Sequence, residues 1–283
     1  MARLQRDYTD EQVPHPFFSA ARRKVFAHRG GSALAPENTT AAFDCGLALG
    51  ADGLELDVRL SRDEVVVVHH DRLLDRTTNL SGPVAGRTAA ELARADAGYR
   101  FRQGAGAPFR GQGIGVPDLA GVLARYRDQP VIIEMKLDTP ELARATVDVV
   151  RRADAVDRVC LGAFGRRVLQ QARRLEPAVA TSAAREEVRW ALYRAWCRWP
   201  VTRCAYAGYQ VPESFGRTRV VSRYFIEAAH RAGLGVQVWT IDTEADASRL
   251  LDWGADALIT DRPDVIVPFV RRMTAAASGA APF

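Results

Sequence analysis

Gly53-Leu54-Glu55-Leu56-Asp57-Val58 is a short apolar run that carries two carboxylates two residues apart. Side chains on a strand alternate with period two, so Glu55 and Asp57 share one face and Leu54, Leu56 and Val58 take the other. Like charges on an apolar strand repel and are costly to desolvate unless a cation sits between them, so this pair asks for a metal. Just upstream, Val25-Phe26-Ala27-His28-Arg29-Gly30-Gly31 reads as another short strand, ending in an imidazole, a guanidinium and two flexible residues. Just downstream, Val65-Val66-Val67-Val68-His69-His70-Asp71 is a β-branched run ending in two imidazoles. Each apolar run delivers its polar groups at one end.

Only Ser61-Arg62-Asp63-Glu64 separates Leu60 from Val65. That is too short for a crossover helix, so the last run returns antiparallel as a hairpin. A two-residue turn at Arg62-Asp63 places His70 opposite Glu55 and Val68 opposite Asp57, to within about one step of register. His69 then points to the other face.

Farther along, the chain becomes rhythmic. Asn38 or Thr39 can cap a helix in which Ala42, Phe43, Leu47 and Ala48 recur at helical spacing, with Gly50 ending it. From Arg72 to Pro117 runs a Gly- and Arg-rich stretch with one short predicted helix near Thr88 to Ala95. A loop-rich segment this long is usually functional, and it is expected to cap the mouth of the core. From Asp118 onward, predicted helices over 118–127, 140–153, 166–174, 185–197, 222–232 and 244–253 alternate with apolar runs at 131–134, 159–163, 178–181, 205–211, 236–240 and 257–260. With 25–28 and 53–58 the parallel strands number about eight, which predicts an α/β fold of the (β/α)8 barrel type with a small insertion after the hairpin. The expected organisation is an N-terminal extension over 1–24, a barrel domain over 25–272 with its insertion at 72–117, and a flexible Ala-rich tail over 273–283. Chemistry in such barrels sits at the carboxyl ends of the strands, where His28, Glu55, Asp57, Glu134, Lys136, Trp239 and Asp261 fall.

A length of 283 residues suits one barrel, and the composition is that of an ordinary globular protein with ample apolar content for a core. The net charge of +5 favours anionic ligands only in a general way, and the arginines form no nucleic-acid motif. No segment has the length and apolarity of a membrane span, and Met1 to Ala21 lacks the apolar core of a signal peptide. Cys45, Cys160, Cys197 and Cys204 form no metal-type spacing and read as packed free thiols, so a cytoplasmic location is expected.

His28-Arg29, Pro36-Glu37-Asn38-Thr39, Glu55-x-Asp57, His70-Asp71 and Arg76-Thr77-Thr78 come one after another in an order and spacing that resembles the signature of the glycerophosphodiester phosphodiesterase family. The resemblance continues through Val116-Pro117-Asp118-Leu119, Glu134-Met135-Lys136, Val238-Trp239-Thr240 and Ile259-Thr260-Asp261-Arg262-Pro263, spanning residues 25 to 265. It implies the same barrel, with a divalent cation on Glu55, Asp57 and Glu134. Hard oxygen ligands in an open set suit Mg²⁺ or Ca²⁺ better than zinc. It further implies that His28 and His70 are a general acid/base pair, that Arg29 and Lys136 clamp phosphate, and that Trp239 walls the glycerol moiety. The implied reaction is hydrolysis of a small glycerophosphodiester to glycerol 3-phosphate and an alcohol. Met135 departs from the β-branched residue usual between Glu134 and Lys136, a conservative change.

Other residues carry weaker signals. Asn38 is expected to reach the site, and Glu37 to support it or simply to shape its loop. Asp71 would orient loop backbone or a neighbouring catalytic group. His69 is expected to be structural, and His15 and His230 carry no signal. Asp261 is expected to close the last strand and cap the segment after it rather than meet substrate. Trp190-Ala-Leu-Tyr-Arg-Ala-Trp-Cys-Arg-Trp199 mixes indoles with arginines; as one barrel helix it is expected to turn its aromatics inward, with membrane contact the lesser reading. Two rivals stand beside the main reading: a lysophospholipase D acting on lipid headgroups, and a non-catalytic phosphate-binding barrel, which would need a ligand or histidine that this chain has not lost.

Overall fold

The computed structural model describes residues 15–18, 23–199 and 204–277. In chain order the strands are β1 (Lys24–His28), β2 (Gly53–Leu60), β3 (Val66–Val68), β4 (Val131–Met135), β5 (Val159–Gly162), β6 (Ala180–Thr181), β7 (Gly208–Pro212), β8 (Ser214–Phe215), β9 (Thr218–Arg219), β10 (Gly235–Trp239) and β11 (Ala257–Thr260). The helices are α1 (Thr40–Ala48), α2 (Ala89–Ala93), α3 (Leu119–Arg125), α4 (Pro140–Arg152), α5 (Arg166–Leu175), α6 (Arg185–Trp196), α7 (Arg223–Arg231), α8 (Glu244–Asp252) and α9 (Pro263–Ala277). Local chemistry starts many of the helices. Thr39, Asp118, Thr139, Ser222 and Thr243 each accept a first-turn backbone N–H, and Pro140 occupies a position where its missing donor costs nothing.

Strands pair in the order β6-β5-β4-β2-β1-β11-β10-β7, all parallel, and a parallel bridge between Ser182 and Gly208 joins the two ends of that series. This is the eight-stranded α/β barrel that the alternating pattern predicts. β3 pairs antiparallel with the far end of β2, beyond the barrel rim. No helix among the described residues is long and apolar enough to cross a membrane, and the four cysteines are free thiols.

Strand alternation divides the core in two. Leu54, Leu56 and Val58 join Leu119, Val147, Leu169 and Ile226 in the layer between strands and helices. Inside the barrel lie Phe26, Ile132, Cys160, Ala180, Ala257 and Ile259, and with them Phe17 and Phe18 from the segment expected to be a mere extension. Gly208 and Gly235 leave the space that the Phe18 ring fills, since a Cβ at either would come within 2.5 or 2.7 Å of that ring or its Cβ. The two rings therefore plug the barrel floor. Phe18→Ala should destabilise the fold by about 3–5 kcal/mol, measured by denaturant unfolding. A loss well under 1 kcal/mol would mean that the plug is dispensable.

At the base of the barrel, Asp256 accepts from the backbone N–H of Val236 (2.7 Å) and from His230 Nε2 (2.9 Å), tying α7 to β10 and β11. The hydrogen bond to Asp256 raises His230 above 6.5, against a smaller opposing effect of burial. The folded state thus holds this proton more tightly than the unfolded one. Its stabilisation is complete below the unfolded value and fades as pH climbs through the folded one. The Tm difference between the wild type and His230→Gln should therefore shrink between about pH 6 and about pH 9.

Four expectations need correction. The hairpin is one step out of the expected register, with Val68 opposite Val58 rather than Asp57. Glu64 adopts a left-handed φ of 59°, and Ser61 N donates to Val65 O (3.0 Å), so the turn holds three residues instead of two. Second, the insertion over 72–117 meets the mouth only at its edge, where Arg72 and Leu73 line a smaller cleft with His70 and Lys136, and it supplies none of the described lining of the main cavity. That insertion builds its own small core from Leu74, Val84, Leu92, Ala97 and Val116 against Val67, beside the mouth rather than across it. Third, α9 continues to Ala277, so 273–277 are helical, while 278–283 lie outside the described residues, as do 1–14 and 19–22 of the N-terminal extension. Fourth, α6 turns Ala191, Leu192 and Ala195 inward and leaves Trp190, Tyr193 and Trp196 exposed. The face it packs on the barrel is thus aliphatic, and its aromatic rings face outward.

Candidate active site

Strand register builds the site. β1 meets β2 with His28 beside Glu55, and β2 meets β4 with Asp57 beside Glu134. Adjacent parallel strands in step put these four side chains in rows across the mouth. Lys136 comes directly after β4, its backbone N–H donating to Val58 O (3.1 Å). His70 arrives differently from the way the turn predicts. The β2–β3 register runs one rung past Val68, with His69 N donating to Asp57 O (2.9 Å), and the buried His69 ring bonds Leu73 O (3.2 Å). The next residue, His70, is thereby aimed into the cavity.

Glu55, Asp57 and Glu134 each contribute an oxygen to a cluster in which all lie within 4.8 Å of one another. Cations already crowd it. Lys136 Nζ stands 2.9 Å from Asp57 Oδ1 and 3.0 Å from Glu134 Oε1, and Arg29 Nε is 3.2 Å from Asp57 Oδ2. Asp57 Oδ1, Glu134 Oε1 and Arg29 Nε are buried and held by these ionic contacts. Asn38 secures Asp57 twice, donating Nδ2–H to Oδ2 (2.8 Å) and accepting from the Asp57 N–H (3.1 Å). Burial, and after it the charge of Asp57, pushes Glu55 up to about 7. Burial works against the Asp57 carboxylate too, but Lys136 and Arg29 hold it below its usual value. Hard oxygens converging from two strands fit a divalent cation of the Mg²⁺ or Ca²⁺ type.

Two histidines border this cluster with different partners. His28 donates Nδ1–H to Asp261 Oδ1 (2.7 Å), which Ser32 Oγ also reaches (2.5 Å), and its Nε2 lies 3.7 Å from Glu55 Oε2. Burial disfavours the imidazolium, yet Glu55 and Asp261 outweigh it and raise His28 above 6.5. His70 Nδ1 bonds Asp71 Oδ1 at 2.6 Å, but Asp71 also receives Arg76 Nε at 2.5 Å. Burial, helped by the charges of Lys136 and Arg29, outweighs Asp57 and Asp71 and holds His70 below 6.5. Arg76 continues to Glu37 through two bonds of 2.7 Å, and Glu37 accepts from Arg29 NH1 (2.9 Å). Glu37 is thus a hydrogen-bonding support outside the metal-type cluster.

The cavity measures about 420 Å³. His28, Arg29, Glu55, His70, Glu134 and Lys136 line one side, and Phe164, Val211, Phe215 and Trp239 give the other an apolar wall. The Trp239 indole meets Phe164 edge to face, with centroids 6.2 Å apart. The candidate catalytic, phosphate-binding and metal residues therefore line this cavity or, in the case of Asp57, lie beneath it in contact with Lys136 and Arg29.

Asp261 departs from its expected role. Instead of only closing its strand, it holds the His28 ring, and Ser32, to which the sequence gives no signal, shares it. A signal for the pairing with His28 lies in closure: β1 pairs with β11 in a register that sets Ala27 beside Thr260, so their successors, His28 and Asp261, come together. Asp242 in turn accepts from Thr260 Oγ1 (2.9 Å) and Asp261 N (2.8 Å), fixing that rim.

Fold and site define a (β/α)8 barrel whose mouth combines a metal-type carboxylate set with cations and paired imidazoles. The model of the glycerophosphoryl diester phosphodiesterase family matches residues 28–265. The glycerophosphodiester phosphodiesterase of Caldanaerobacter subterraneus subsp. tengcongensis is 30% identical over 253 residues, covering 88% of this chain and 98% of that protein. A crystal structure of a glycerophosphodiester phosphodiesterase from Agrobacterium tumefaciens superposes with a TM-score of 0.71 at 30% identity, over 87% of this chain and 99% of the other. An Oleispira antarctica phosphodiesterase in complex with the product sn-glycerol-3-phosphate gives a TM-score of 0.71 at 27% identity, over 88% of this chain and 97% of that one. The chain belongs to the glycerophosphoryl diester phosphodiesterase family, and so to the phosphoric diester hydrolases.

Proposed function

We propose that this enzyme hydrolyses small glycerophosphodiesters to glycerol 3-phosphate and an alcohol, with a divalent cation on Glu55, Asp57 and Glu134. The observation that carries this reading is the meeting of three carboxylates, two cationic side chains and two histidines at one barrel mouth with an apolar wall. The bound dication would act as a Lewis acid on the phosphoryl oxygens. With those carboxylates so engaged, Lys136 and Arg29 are available to hold phosphate, Arg29 as a planar fork and Lys136 as a point charge. Trp239 would offer its face to the carbon chain of the glycerol.

His28 and His70 divide the proton work. The two carboxylates near His28, Asp261 and Glu55, favour its imidazolium, which suits it to give a proton to the departing alcohol oxygen as the P–O bond breaks. The neutral ring of His70 would take the proton from the attacking oxygen as the new O–P bond forms. The net change is addition of one water across the ester. Release of glycerol 3-phosphate from a panel of headgroups, assayed in EDTA and after Mg²⁺ or Ca²⁺ add-back, tests the reading. Turnover should vanish in EDTA and return with one of the cations. Full activity in EDTA, or none with either ion, would overturn it.

A further inference from the structure

The exposed face of α6 is aromatic and cationic together. Trp190, Tyr193 and Trp196 recur every third residue and fall within an arc of about 120° around the helix. With Trp199 just beyond the helix end, they are 65, 47, 67 and 57% exposed. Edge-to-face contacts join three of the four, Trp190 to Tyr193 at 6.0 Å and Tyr193 to Trp199 at 5.9 Å. These contacts hold the rings to one another as a ridge and leave their outer faces in water. Single exposed rings are ordinary, whereas a contiguous group marks a contact surface.

Charge says what covers it. Arg189 lies within the same arc, and Arg185 and Arg198 stand at its two ends, all exposed. None of the three forms an ion pair among the described residues, while the nearby acids are engaged: Glu187 with Arg173 (2.8 Å) and Glu186 with Arg166 (3.8 Å). A second copy docking by a two-fold axis would bring this basic face against itself. An anionic lipid surface complements it, since indole and phenol rings settle at the headgroup level and guanidinium forks match lipid phosphates. The ridge also begins at the cavity. Arg185 and Arg189 line its rim beside Phe215, and the Arg185 guanidinium sits 4.7 Å above the Phe215 ring.

We propose that α6 docks this protein on an anionic bilayer, with Trp190, Tyr193, Trp196 and Trp199 at the headgroup boundary, Arg185, Arg189 and Arg198 on lipid phosphates, and the cavity rim against the lipid. This stands apart from the substrate reading and can fail without it. The test is flotation of the full chain with vesicles of phosphatidylcholine alone or mixed with phosphatidylglycerol, comparing the wild type with the double variant Trp190→Ser, Trp196→Ser. The wild type should bind the phosphatidylglycerol vesicles, less at high salt, and its tryptophan emission should shift to the blue. Binding by the double variant should fall at least about tenfold, the loss of an interfacial aromatic anchor. Its Tm and its turnover of a water-soluble diester should match the wild type, because both indoles are exposed and lie outside the cavity. Wild-type protein that ignores anionic vesicles, or a variant that binds as well as the wild type, would overturn the proposal. So would a dimer in sedimentation velocity that the double variant converts to monomer without any vesicle binding, which would assign the ridge to a second copy.

Discussion

Glu55→Gln is expected to lower kcat/KM on a glycerophosphodiester by at least about a thousandfold, the scale of several kcal/mol of transition-state stabilisation that a bound dication supplies. The same change should leave the folded protein intact or firmer when no metal is present. Glu55 is buried beside Asp57, and burial together with that neighbouring charge pushes it up to about 7. Glutamine retains an oxygen to accept the Arg29 N–H, a contact of 3.0 Å in the wild type, while removing the repulsion with Asp57. Two Tm measurements separate the roles. Adding Mg²⁺ or Ca²⁺ should raise the Tm of the wild type by linkage and leave that of the variant unmoved. A fully active Glu55→Gln protein, or one whose Tm still climbs with the cation, would remove Glu55 from the metal set.

Truncating either histidine should cost about 10²–10⁴-fold in turnover, the range for loss of a general acid or base. The partners of the two rings make the losses distinguishable. Asp261 takes its side-chain hydrogen bonds from His28 and Ser32, whereas Asp71 shares its charge between His70 and Arg76. On the proposed reading His28 would be the acid and His70 the base. A substrate with an activated leaving group, such as a nitrophenyl phosphodiester, needs no proton on departure. His28→Ala should recover most of its activity on that substrate, and His70→Ala should not. The opposite pattern would exchange the two roles, and rescue of neither would exclude His28 as the acid.

Much of this site is legible in a single pass along the chain, because its signals are short-ranged. The period-two alternation that turns Leu54, Leu56 and Val58 toward the helices also turns Glu55 and Asp57 inward. The alternation of helical and apolar segments counts out the barrel, and barrel geometry assigns the chemistry to the strand ends. Helix caps such as Thr39 and Asp118 depend on hydrogen bonds within three residues. The sequence by itself therefore determined the strands, the barrel and the residues at its mouth.

What the tertiary structure alone decided concerns partners rather than elements. The left-handed φ of Glu64 lengthens the hairpin turn by one residue, so His70 reaches the cavity only because the chain departs from the ladder after His69. Asp261 meets His28 across 233 positions because closure makes the first and last strands neighbours. Arg76 joins Glu37 to Asp71, Phe17 and Phe18 fill a floor left open by glycines, and α6 seats Ala191, Leu192 and Ala195 on the barrel with its indoles outside. Periodicity is a property of neighbouring residues, whereas burial and the pairing of charges depend on which elements come to share an edge, and that is settled only when the barrel closes.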